Sequence, residues 1–178
     1  AVMVSIPFGD RELHLQVWIA LVGRVPLLLL DTDVPQNDSA DRPITSMLYT
    51  PGREMRLAQE LVLGIGGARA LEALGIEPAI WHMNEGHSAF LQFERLRRLV
   101  LEHGASFDSA VAELRRTSVF TTHTPVPAGN EVFDAPLIRD YFDPRCAEFG
   151  IAPEQWLALG SNDHGGPDQP FNMTALAI

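Results

Sequence analysis

Between Ala79 and Thr122 the apolar pattern moves from strand to helix and back to strand, and this restricts the fold more than any other stretch. Ala79-Ile-Trp-His82 reads as a short strand. A helix follows from about Ser88 to Glu102, with Phe90, Leu91, Phe93, Leu96, Leu99 and Val100 on one side, and Gly104 ends it. Ser106 caps a second helix that ends near Arg116, and Ser118 to Thr122 returns as a strand. The middle of the chain is therefore a βαβ unit. In open α/β sheets ligands gather outside the carboxyl ends of the strands. Both strands here end in a histidine-containing loop, His82-Met-Asn-Glu-Gly-His87 and Thr121-Thr-His-Thr-Pro-Val-Pro-Ala-Gly-Asn130, so the two loops are expected to share one edge.

Elsewhere the pattern is simpler. Glu12 to Ile19 alternates polar and apolar residues, and Leu27 to Leu30 is a continuous apolar run closing in Asp31-Thr-Asp33, so the first third reads as strands. The second of these is expected to be buried on both faces. Pro35 to Pro43 is dense in turn formers and reads as a surface loop. Arg53 to Leu74 suits one long helix closed by Gly75, and short helices are expected around 136–142 and 153–159.

Composition excludes several classes of function. A formal charge of −10 disfavours a polyphosphate partner, so no nucleic acid is expected. The run Val25 to Leu30 is far below the roughly 20 residues that cross a bilayer. Cys146 is alone, has no histidine near it in sequence, and fits a reducing, cytoplasmic setting. The first residues enter as if in mid-strand and the last stop inside an apolar stretch, so both ends read as cut. All 13 basic residues are arginine; there is no lysine.

Several residues admit plain structural readings. His82, Glu85, His87 and His123 include metal-ligand types, but His-x-x-Glu-x-His is not the helical spacing that puts two imidazoles on one face, so no metal is expected. His82, ending an apolar strand, reads as a satisfied buried histidine. Gly64-Ile-Gly-Gly67 lies within a helical pattern and follows no strand, which favours close helix packing over a phosphate cradle. Asp31 and Asp33 read as turn residues rather than a catalytic pair. Arg95, Arg97 and Arg98 read as a solvated helix face with Glu94 and Glu102.

Five runs, taken in order, carry a resemblance. They are Leu27-Leu-Leu-Leu-Asp-Thr-Asp33, Glu60-Leu-Val-Leu-Gly-Ile-Gly-Gly67, His82-Met-Asn-Glu-Gly-His-Ser-Ala-Phe90, Phe120-Thr-Thr-His-Thr-Pro-Val-Pro-Ala-Gly129 and Phe171-Asn-Met-Thr174. The chain resembles the glycogen and α-glucan phosphorylases, in particular their bacterial and archaeal branch. That resemblance implies an α/β, Rossmann-like three-layer segment of a GT-B type glycosyltransferase, residues 1–178 forming part of the N-terminal lobe and truncated at both ends.

It also implies that the full enzyme transfers the terminal glucosyl unit of an α-1,4-glucan to inorganic phosphate, giving glucose 1-phosphate, with possible homo-oligomers. Pyridoxal phosphate would be held by a lysine outside this chain, so the segment alone is expected to be inactive. By motif position, His123 resembles the histidine that bonds the 6-hydroxyl of the reacting sugar, its carbonyl facing the anomeric centre. Asn84, Glu85, His87 and Thr124 join it as substrate-binding residues of the glucosyl pocket. Animal and plant enzymes show Asn-Asp-Thr-His-Pro and His-Thr-Val-Leu-Pro-Glu where this chain has Asn84-Glu-Gly-His-Ser88 and His123-Thr-Pro-Val-Pro-Ala128. The alternative is a stand-alone carbohydrate-binding module without catalysis.

Overall fold

Two two-residue turns, each led by a glycine at φ +64°, fold the first thirty residues into a meander. In the computed structural model, which describes residues 2–48, 51–124, 130–148, 150–161 and 169–178, β1 (Val2–Phe8) pairs antiparallel with β2 (Arg11–Val22) across Gly9. β2 then pairs antiparallel with β3 (Val25–Asp31) across Gly23. The chain forms two units, 1–77 and 78–178.

In the first unit, alternation along β1 and β2 buries Ile6, Leu13, Leu15 and Val17 on one face. That face packs on one long helical segment, α1 (Arg53–Leu61), a π-helical turn at Val62–Gly66 and α2 (Gly67–Ala73). The single helix expected over 53–74 is present, with the π turn inside it. Gly66 explains the glycine run: a Cβ there would lie 2.4 Å from Leu15 Cδ1 and 3.5 Å from Leu30 Cδ1, so the missing side chain lets helix and sheet approach. Beyond β3 the buried Asn37 continues the ladder with its side chain. Its carboxamide accepts from the His14 N–H and donates to the His14 and Thr32 carbonyls, each at 2.8 Å.

The expected double burial of β3 is not found. Leu27 and Leu29 are 48% and 47% exposed, and Trp18, Ile19, Leu21, Val22 and Val25 are exposed as well, so the outer half of the β2–β3 hairpin carries apolar side chains into solvent. β3 is an antiparallel edge strand, whereas double burial belongs to strands inside parallel sheets.

The second unit holds the βαβ element. β4 (Trp81–Asn84) and β5 (Ser118–Thr121) are parallel, joined by α3 (Leu91–Leu101) and α4 (Phe107–Thr117). Ser106 caps α4 by accepting from the Ser109 N–H. β6 (Val132–Phe133), α5 (Ala135–Glu148), α6 (Pro153–Leu159), β7 (Phe171–Asn172) and α7 (Met173–Ala177) follow, with β6 and β7 antiparallel. Phe90, Phe93, Phe133, Phe142, Trp156 and Phe171 form the core, with ring centroids 4.6–6.3 Å apart. Burying rings of this size contributes on the order of 2 kcal/mol each. The fold is thus mixed α/β, and among the described residues parallel pairing is confined to β4 and β5 rather than extending through a three-layer sheet.

Arg95 corrects the expected solvated face. It is only 9% exposed, lies 5.0 Å from the Trp81 ring centroid, and donates to the Thr117 and Ser118 hydroxyls and to Gln92. Burial pulls its guanidinium down to about 10. Arg97 and Arg98 do pair with Glu94 and Glu102, but Glu94 is itself buried, so this side of the helix is not fully solvated either.

Candidate functional site at the carboxyl ends of β4 and β5

Parallel pairing sets Asn84 opposite Thr121, so the loops that follow leave the sheet side by side. Glu85 joins them. Its N–H donates to the Thr121 carbonyl at 2.8 Å, adding one rung beyond the ladder. Its carboxylate then accepts from three consecutive residues: the Thr122 hydroxyl (3.2 Å), the His123 N–H and the Thr124 N–H (2.9 Å). These are donors that a chain leaving a strand would otherwise direct at water.

The backbone at Glu85 has φ +59° and ψ −176°. Among the described residues it is the one non-glycine residue at positive φ, in a region that side chains avoid at a cost of about 1–3 kcal/mol. The residue is 8% exposed. The His123 amide has the largest effect and lowers the carboxyl below its ordinary value; burial opposes it, and the Thr124 amide and Thr122 hydroxyl add to the lowering.

Around this bond set the imidazoles stand at the edge. His123 is exposed, His87 is half-buried in the 3-10 turn Gly86–Ser88, and Asn84 is exposed at the end of β4. Thr124 is half-buried. The structure therefore brings Asn84, Glu85, His87, His123 and Thr124 to one edge. Pro125 to Gly129, the rest of the second motif, lie outside the described residues. His82 is satisfied, through Nε2 at 2.7 Å from Thr121 Oγ1, but exposed rather than buried, because it faces the open side of β4.

Sequence reasoning missed Thr121 and Thr122, whose carbonyl and hydroxyl bind Glu85. The signal was present as the paired threonines before His123, but a hydroxyl beside a histidine has no chemistry that marks it. Gly86 was also passed over. A Cβ there would lie 2.8 Å from Met173 Cβ, so the turn sits directly against the start of α7.

Among the described residues no three or more of His, Cys, Asp and Glu gather as metal ligands. Asp31 has a turn role, accepting from the Asp33 N–H at 2.9 Å and from the Trp18 indole at 3.1 Å. Cys146 is buried, and burial pushes its thiol up to about 12, far from nucleophilic use. No described helix is long and apolar enough to cross a membrane. What the edge offers is an exposed imidazole, an amide side chain and a half-buried histidine on a backbone bonded through Glu85, an arrangement suited to hydrogen-bonding a polyhydroxylated ligand.

No family model matches the chain. Individual proteins do. It is 40% identical over 189 residues to a glycogen phosphorylase of Mycobacterium tuberculosis, an alignment covering 99% of this chain and 22% of that protein. It is 44% identical over 178 residues to a maltodextrin phosphorylase of Thermococcus litoralis, covering 99% of this chain and 20% of the relative. A glycogen phosphorylase of Aquifex aeolicus is 36% identical over 169 residues, 95% of this chain and 24% of its own length. The chain thus spans about a fifth to a quarter of these curated relatives.

Proposed function

Because the chain is homologous along nearly all of its length to a stretch of the glycogen and maltodextrin phosphorylases, we propose that it supplies part of the glucosyl pocket of an α-glucan phosphorylase. The observation that carries this reading is the Glu85 bond set, which holds the two histidine loops together at one sheet edge. In this proposal residues 1–178 are part of the N-terminal lobe of a cytoplasmic GT-B type enzyme. The whole protein moves a terminal α-1,4-linked glucosyl unit to inorganic phosphate.

His123 bonds the 6-hydroxyl of that unit, and its carbonyl dipole faces the anomeric carbon, where positive charge grows as the glycosidic bond breaks. His87, Asn84 and Thr124 complete the sugar contacts. The reaction class implies pyridoxal phosphate, and the residues here do not fit it. All 13 basic residues are arginine, so no side-chain amine is available for an imine, and within the glycine run Gly66 is packed on the sheet. No step through the cofactor belongs to this segment.

The test is a chimera in which these 178 residues replace the matching stretch of the Mycobacterium tuberculosis relative. It is expected to release glucose 1-phosphate from glycogen in a phosphate-dependent manner, with His123→Ala lowering kcat/KM by about 100-fold, the scale of one lost transition-state contact. The isolated 178 residues are expected to release none. A folded chimera without activity, or an active isolated chain, refutes the proposal.

A further inference from the structure

Glu85 occupies backbone space that suits glycine, and a glycine follows it at Gly86. If only the turn mattered, glycine at position 85 would form it without strain. The side chain must therefore supply what glycine cannot, and its bonds identify it: Oε1 gathers two successive backbone N–H groups, from His123 and Thr124, while Oε2 takes the Thr122 hydroxyl. Successive amides converging on one oxygen make an anion nest, here filled from within the molecule. Turning this carboxylate toward a ligand, or protonating it, would give up donors that it now holds.

We propose that Glu85 is a positioning residue, not a sugar contact: its carboxylate sets the Thr122–Thr124 backbone so that the His123 ring and carbonyl stand at the edge in register with His87. The clamp itself rests on geometry alone; what His123 is positioned for rests on the phosphorylase reading above. Among the described residues, the titratable side chains next to it along its own bonds and turn are His82, reached through Thr121, His87 on the following turn, and His123 itself.

Two measurements decide the proposal. In the unmodified 178-residue chain, nitrogen–proton correlation spectra recorded as pH falls should show the His123 and Thr124 amides moving together in one step, below the ordinary carboxylate range of about 4.3. Glu85→Gln should abolish that step. In the chimera, Glu85→Gln should lower kcat by about 10–100-fold with KM changed less than about threefold, because a misplaced His123 weakens the transition state more than the bound sugar. Amides that do not follow a carboxylate, or a Gln variant that raises KM and spares kcat, overturn the proposal. The titration of the unmodified chain needs no variant, so misfolding of Glu85→Gln does not remove the test. A chimera inactive with Glu85 intact counts against the phosphorylase reading, while the amide titration still decides the clamp.

Discussion

Gly86 has no room for a methyl group. An added Cβ would meet Met173 Cβ at 2.8 Å and the Met173 backbone carbon at 3.2 Å, and neither can swing aside, because the Met173 N–H is held by the Glu131 carbonyl. Gly86→Ala should therefore destabilise the chain by about 1–3 kcal/mol in denaturant unfolding, the usual cost of overpacking. Gly67→Ala is the control: it is helical with nothing within 4 Å of the new Cβ, so it should be neutral or stabilising by up to about 1 kcal/mol. Glu85 adds a pH dependence of definite sign. Its carboxyl is lowered in the folded state, so its contribution is present above the unfolded value and disappears as pH falls through the folded one. Denaturation of the native chain and of Glu85→Gln should differ most near neutral pH and converge in acid; a gap that widens in acid would contradict the assigned bonds.

Elements of the second unit were legible because period and punctuation agree there. Ser106 at the head of a helical run, Gly104 before it, and apolar strands at either side leave one economical arrangement, and β4, α3, α4 and β5 follow it. The shared edge of the two histidine loops was legible for the same reason, since parallel strands place their following loops together. The clamp was not, because its donors include the backbone amides of His123 and Thr124, which carry no side-chain signature, and a positive φ at a glutamate cannot be read from the letter alone. In β3 the signal itself misled. Leu27 to Leu30 is apolar in every position, a composition that predicts burial on both faces. The described residues instead leave Leu21 and Val25 at 77% and 66% exposed, as both strands run out along the hairpin. An apolar run records a preference for burial, not the identity of what covers it.

At the scale of the whole molecule, every residue of the candidate site falls within 78–178, and so do all the rings of the aromatic core. Phe90 connects the two. It is fully buried among Phe133, Phe142 and Phe171, and it stands three residues after His87, so the turn that carries Glu85 is anchored to the core by its own continuation. Gly160 serves the same core by leaving space for the Phe171 ring, which a Cβ there would meet at 2.3 Å. A segment of about 100 residues can bury enough apolar surface to fold alone. The polypeptide 78–178, expressed without the first unit, is therefore expected to give dispersed spectra in which the His123 and Thr124 amides keep the carboxylate titration of the longer chain. Collapse of those two amides to unstructured positions, with the aromatic rings still packed, would mean that the clamp depends on residues before Pro78.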